Sequence, residues 1–277
     1  MTFDKQLLQE LESKATALRR NVVISVGVDY PGHLGGSFSA ADVVAALYFH
    51  KMKHDPKNRN MPERDRFVLS KGHIAILQYA ALAEAGYIPK EDLPNTKTLG
   101  SYLQGHPDLE KSGHVGIEAG TGSLGQGLSI GVGMALGLRM DSLPSKVYVI
   151  MGDGELAEGQ VWEAAMSASA YKLNNLIAIV DKNDKQAQGK VHERFNLHPI
   201  AEKWAAFGWN VVEIDGHNME DILRGLYAVD NADRPTAIIS STIKGKGLEI
   251  SENHPAGMHN APLTKEQYDN ALAAFAR

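Results

Sequence analysis

Apolar residues recur at helical spacing near the start of the chain. Leu7, Leu8, Leu11, Ala15 and Leu18 share one face, which predicts an amphipathic helix. Ser37 or Ser39 is placed to cap a second helix through Ala40–His50. Arg66–Ser70 (RFVLS) reads as a short buried strand, and His73–Ala85 as a helix that Gly86 ends. Between Asp92 and Val115 no period survives Pro94, Asn95, Gly100, Gly105, Pro107 and Gly113, so an irregular segment facing a ligand is expected. The glycines and alanines of LGQGLSIGVGMALGLRM, from Leu124, predict a helix packed closely on a neighbour. Regular alternation follows: strand Lys146–Met151, helix Gln160–Tyr171, strand Leu176–Asp181, helix Ile200–Phe207, strand Trp209–Ile214, helix Met219–Val229 and strand Thr236–Ser241. Thr264 and Gln267 suit a capping box for a last helix.

Strands alternating with helices imply parallel pairing through right-handed crossovers. The strands are near-continuous apolar runs, as both-face burial requires. The fold class is therefore α/β: an open, doubly wound, mostly parallel sheet with helices on both faces, expected as a single domain over 1–277. Ligands of such sheets sit beyond the carboxyl ends of the strands. That points to the stretches following Gly152, Lys182 and Thr242.

Composition removes several classes of function. Lys and Arg total 28 against 33 Asp and Glu, a net charge of −5, which argues against nucleic acid or acidic membrane as a partner. There are no cysteines, hence no disulfide, thiolate metal site or cysteine nucleophile, and a cytoplasmic location is expected. The first twenty residues are charged throughout and hold no apolar core for a signal peptide. Ala119–Leu138 is free of charge, but seven of its 20 residues are glycine, which is too polar and flexible a run for lipid.

The chemistry concentrates after two strands. Gly152-Asp153-Gly154 sets a carboxylate just past a strand between two glycines, which allow close approach of backbone N–H groups to an anion. Asn183 lies 30 positions downstream, about one βαβ unit, so Asp153 and Asn183 should stand on neighbouring strands. An Asp carboxylate, an Asn amide oxygen and one backbone carbonyl are the protein share of a magnesium site that leaves room for phosphate and water. By itself, a GDG triplet is as readily a tight turn.

GDG followed about 30 residues later by Asn resembles the signature of thiamine-diphosphate enzymes, and GDGELAEGQVWEAA with LIAIVDKN resembles transketolase. Gly32-His33-Leu34-Gly35-Gly36, Arg64–His73 (RDRFVLSKGH), Gly105-His106-Pro107, Thr121–Gly127 (TGSLGQG) and His259-Asn260-Ala261-Pro262-Leu263 resemble further motifs of that family, in its order, from about residue 20 onward. The sequence departs from the family pattern at Lys182, often Asn or Asp there, and at Ser123, commonly Pro. The resemblance implies the diphosphate-domain type of the thiamine-diphosphate-binding fold. It implies thiamine diphosphate and Mg2+, or another divalent cation such as Ca2+ or Mn2+, as cofactors. The metal ligands would be Asp153, Asn183 and the Lys185 carbonyl. His73, Gly122, Leu124, Gly152, Asp153, Gly154, Asn183 and His259 would line or bind the cofactor, with the Gly154 N–H and the two histidines against the diphosphate. His33, His106 and His259 would face the ketose donor, and Glu158 would join a carboxylate network linking paired active sites.

The same resemblance implies transfer of a two-carbon ketol unit from a ketose, a phosphate by expectation, to an aldose through a thiamine-diphosphate carbanion. Nothing in the chain matches the pyrimidine-binding domain of that family. The expectation is one subunit of a split enzyme, inactive alone, with the pyrimidine-binding and C-terminal domains on a second subunit in an α2β2 assembly. The small residues Gly127, Gly131 and Ala135 are candidates for that interface. Lys244 and Lys246 read equally as cleft-edge charges or as a solvated loop. His50, His54, His114, His192, His198, His217 and His254 read as ordinary imidazoles, with His254 able to line the mouth. The rivals are a transketolase-like enzyme for a sulfonated or branched ketose, and the α subunit of a 2-oxo-acid dehydrogenase. A nicotinamide dehydrogenase is excluded because Gly125 and Gly127 do not follow a strand.

Overall fold

The computed structural model describes residues 2–276. Five parallel strands form the sheet: β1 (Arg66–Leu69), β2 (Val147–Gly152), β3 (Leu176–Lys182), β4 (Asn210–Asp215) and β5 (Thr236–Ser241), in the order β1-β2-β3-β5-β4. Alternate side chains of the central strands enter two separate cores. Tyr148, Ile150, Ile177 and Ile179 pack against α1 (Lys5–Val26), α2 (Leu34–Ala46), α3 (Ala75–Glu84) and α7 (Met219–Ala228). Val147, Val149, Met151, Ala178 and Val180 pack against α4 (Gln126–Met140), α5 (Gly159–Ala170) and α6 (Ile200–Ala206). The connections β1→β2, β2→β3 and β3→β4 step one way across the sheet; β2→β3 and β3→β4 pass over the second face, and β1→β2 first packs α3 on the first face and then enters β2 from α4 on the second. Only β4→β5 steps back, and its helix α7 lies on the first face. Right-handed crossover demands this division. The predicted doubly wound sheet is thus present, and its long strands are buried on both faces. β4 differs: it is an edge strand, with Glu213 exposed and Val211 and Val212 half-buried.

Several local expectations change. α2 begins earlier than predicted, at Leu34, with His33 at its N-cap, and ends in a π-helical turn over Leu47–Lys51. Ser37 and Ser39 therefore sit inside the helix. Ser37 donates to the His33 carbonyl, and Ser39 reaches across to Asp181. A two-residue hairpin, Lys185–Gln186 with Gly189–Lys190, was not legible in the sequence pattern. The Thr264–Gln267 capping box forms at the start of α8 (Lys265–Ala274).

The interface reading for α4 is corrected. Gly127, Gly131 and Ala135 are buried and face this chain's own sheet. A Cβ on Gly131 would stand 2.6 Å from a Val149 methyl, and one on Gly127 would strike Ser70. The glycines serve close helix–strand approach. The opposite face carries Gly133 and Gly137, where an added Cβ meets nothing within 4 Å. Among the described residues no helix is long and apolar enough to cross a membrane.

Candidate functional site

The parallel register pairs Gly152 with Asp181, so the two strand ends carry Asp153 and Asn183 out side by side. Here β2 and β3, with β5 beyond, open a cavity of about 330 Å³. Its wall includes Gly36, Lys71, His73, Gly122, Leu124, the run from Gly152 to Glu155, Glu158, Asn183, Lys185, Lys244 and His259.

Asp153 is buried. Its carboxylate accepts from the Gly154 N–H at 2.8 Å and the Asp184 N–H at 2.5 Å. Burial, together with the nearby Asp181 charge, pushes its carboxyl up to about 6. Its hydrogen bonds are to backbone, so the group lacks the paired cation that a buried carboxylate needs. Asn183 is oriented by its neighbour. Its Nδ2 donates to Asp181 Oδ2 at 2.9 Å, and a carboxylate only accepts. Oδ1 is thereby the free acceptor of the amide, and it takes the Lys185 N–H at 3.0 Å. The Lys185 carbonyl accepts from Lys244 Nζ at 2.9 Å, so it already faces a positive charge. Carboxylate, amide and main-chain oxygens form a hard-donor set that fits magnesium or calcium. That set holds one carboxylate, and among the described residues no cluster of three His, Cys, Asp or Glu could hold a metal.

Two buried carboxylates, neither singled out in the sequence, build this geometry. Asp181 pairs with Lys71 Nζ at 2.5 Å and also accepts from Ser39, Asn183 and Thr242. Despite complete burial, the Lys71 charge and these donors hold it below the usual carboxylate range. Glu155 accepts from Ser70 Oγ, from Gly125 N–H at 2.9 Å and from Gly152 N–H at 3.1 Å. It thus ties the Gly122–Gly125 loop to the GDG turn. Burial raises its carboxyl. Glu158, three residues on, is exposed and leaves its side chain free to face outward.

Lys244 corrects the open reading of the IKGKG segment. It is 3% exposed, and its Nζ lies 3.1 Å from His259 Nδ1. Burial, with Lys71 next in effect, lowers it to about 8. Left-handed backbone at Gly245 and Gly247 folds the segment inward. Lys246 remains half-buried.

Three histidines meet at the cavity. The rings of His33, His73 and His259 stand 5.1 Å apart, centroid to centroid, in every pair. Burial and mutual repulsion lower His33 to about 3, and burial with Lys244 lowers His259 to about 4. His73 is lowered further, by burial and then Lys71. All three are neutral near pH 7, each offering one donor and one acceptor. His33 Nδ1 is buried without a hydrogen-bond partner. His106 stands apart from this triangle. It is exposed, lines an adjoining hollow with Thr121 and Ser123, and lies beside Gly122. The remaining histidines include structural ones: His217 bonds Asp42 at 2.8 Å, His54 bonds Tyr87, and His50 bonds Tyr227. His254 is exposed, and its carbonyl accepts from Lys185 Nζ.

The GDG turn forms part of the same wall. A Cβ added to Gly152 would meet no atom within 4 Å, so the turn leaves room at that residue, while the N–H groups of Gly152, Asp153 and Gly154 are taken by Glu155, the Asp181 carbonyl and the Asp153 carboxylate. His73 and the buried Lys244 line the same cavity and carry side-chain donors. These residues fit a diphosphate held through a divalent cation.

The family model described as transketolase, thiamine diphosphate binding domain, matches residues 12–275. The chain is 47% identical over 265 residues to the 6-deoxy-6-sulfo-D-fructose transketolase subunit SqwG of Clostridium sp. (strain MSTE9), covering 95% of each chain. It is 42% identical over 266 residues to one of the apulose-4-phosphate transketolase subunits of Phocaeicola vulgatus, covering 96% of this chain and 93% of that one. Against human transketolase the identity is 38% over 270 residues, covering 97% of this chain and 42% of the human protein. Among solved structures, transketolase from Leishmania mexicana matches with a TM-score of 0.86 and 29% identity, covering 98% of this chain and 41% of that one. Transketolase from Campylobacter jejuni matches with a TM-score of 0.85 and 32% identity, covering 99% and 43%. The chain thus spans about two fifths of the length of these single-chain transketolases.

Proposed function

The chain belongs to the transketolase family, through its thiamine diphosphate binding domain, and on that premise we propose that it is the diphosphate-binding subunit of a two-chain transketolase. The observation that carries this reading is the meeting of Asp153, Asn183 and the Lys185 carbonyl with His73, His259 and the GDG turn around one cavity. The relatives named as transketolase subunits support a partner polypeptide. To that partner we assign the pyrimidine-binding and C-terminal domains, in an α2β2 assembly. The relatives named for a sulfonated and a phosphorylated ketose support a donor with an anionic end. The family match favours transketolase over the α subunit of a 2-oxo-acid dehydrogenase.

When bound, thiamine diphosphate supplies the carbon nucleophile of ketol transfer. Asp153, Asn183 Oδ1 and the Lys185 carbonyl would hold the divalent cation, and Asp181, by taking the Asn183 Nδ2, leaves Oδ1 as the oxygen available to it. Gly152, Gly154, His73 and His259 would border the diphosphate, the Gly154 N–H turning to it from the Asp153 carboxylate, while Gly122 and Leu124 would line its site. Neutral His33, His106 and His259 bind the ketose hydroxyls and move protons at the sugar oxygens. Glu158 faces outward, toward the partner.

The test is a ketol-transfer assay on the purified chain, alone and with a candidate partner that carries a pyrimidine-binding domain. Activity only in the mixture supports the reading, and transfer by the isolated chain would sink the two-chain assignment.

A further inference from the structure

Lys97 joins the two segments that carry the outer histidines. Its stem lies along Gly105, where an added Cβ would stand 3.8 Å from Lys97 Cε, one residue before His106. Its Nζ donates to the Pro31 carbonyl at 2.6 Å, two residues before His33. Its own N–H is held by the Leu103 carbonyl at 2.8 Å.

The backbone at Lys97 is left-handed, with φ of 64°. Residues with long side chains adopt that conformation at a cost, and such outliers gather at binding sites. The residue is exposed, though partial burial of its ammonium lowers it below the ordinary lysine value, and its acceptor is a neutral carbonyl rather than a carboxylate. An ammonium has three donors, so two remain available. Its positive charge is felt by both His33 and His106, and Lys244 acts on His33 in the same sense. Lys97, which lines the neighbouring hollow with Pro31 and Leu99, thus sets a positive charge beside the segments of two ketose-facing histidines.

We propose that Lys97 binds the oxyanion at the far end of the ketose, a phosphate or a sulfonate, so that this chain itself contributes to selection for a charged donor. The inference rests on the transketolase reading above. Lys97 is then a specificity residue, and its bond to Pro31 also fixes the spacing of the two histidine segments.

The test uses the reconstituted two-chain assembly and three donors: fructose 6-phosphate, 6-deoxy-6-sulfofructose and fructose. Lys97→Met keeps the length of the stem and removes the charge; Lys97→Arg keeps the charge. The expected result is a fall of about tenfold or more in the kcat/KM ratio of anionic to neutral donor in Lys97→Met, carried by KM, with most of it restored in Lys97→Arg. A loss confined to the phosphate or the sulfonate arm identifies the oxyanion taken. An unchanged ratio, with all donors falling together, overturns the proposal and leaves Lys97 as a strap between loops. A wild-type assembly that transfers from none of the three donors overturns the transketolase reading itself, and the two failures are thereby distinct.

Discussion

Two parts of the cavity wall are built in different ways. One is the strand-end wall of Asp153, Asn183 and Lys185, set by the parallel register of β2 and β3 and braced by Asp181 and Glu155. The other is the histidine rim, where His33, His73, His106 and His259 arrive on four separate segments. In the first, polar atoms are satisfied by backbone and by each other. In the second, neutral rings crowd together, His33 perpendicular to His259, and His33 Nδ1 has no partner. The wall is hydrogen-bonded into one arrangement by its own neighbours. The rim is a set of ring donors and acceptors with few partners in the chain.

The difference is open to breakage. The largest effect is expected from Asp181→Asn, which leaves Lys71 buried and unpaired and frees the Asn183 amide. Breaking such a pair costs about 3–5 kcal/mol. Denaturant unfolding of the assembly should show that loss, and stability within about 1 kcal/mol of the parent would mean the wall is not braced as described. Glu155→Gln comes next, at about 1–3 kcal/mol, because one buried backbone N–H loses its charged acceptor. Protease nicking within the Gly122–Gly125 loop should rise with it, and an unchanged nicking rate would contradict the tie.

The rim should respond to pH instead. The His33 ring is held at about 3 in the folded chain against an ordinary 6.5. The unfolded chain therefore takes up that proton first, and this contribution to stability is lost as pH falls from about 6.5 toward 3. Relative to the parent, a His33→Gln variant should gain stability steadily over that window. A constant difference from about pH 7 to about pH 4 would show that His33 is not held neutral. The smallest effect belongs to Glu158→Gln, within about 0.5 kcal/mol for the isolated chain because the side chain is exposed. A larger loss there would show that Glu158 already has a partner within this chain.

Legibility in the sequence follows the same division. Asp153 and Asn183 were readable because parallel neighbours place residues about 30 apart side by side. Lys71, Asp181 and Glu155 were not, since a charge near a strand end reads as exposed until its buried partner is known. Lys244 was half-readable: its loop was located beyond β5, but only the inward fold at Gly245 and Gly247 buries it. For α4 the glycine spacing announced close packing without saying against what, and the neighbour proved to be the chain's own sheet. The histidine motifs were found, but their triangle depends on loop paths that no local pattern encodes.

The most direct measurement is calorimetric titration of thiamine diphosphate into the reconstituted assembly, with Mg2+ and again with excess chelator, for the parent and Asp153→Ala. The strand-end wall predicts tight binding only in the parent with metal present. Unchanged affinity in Asp153→Ala, or in chelator, would contradict it.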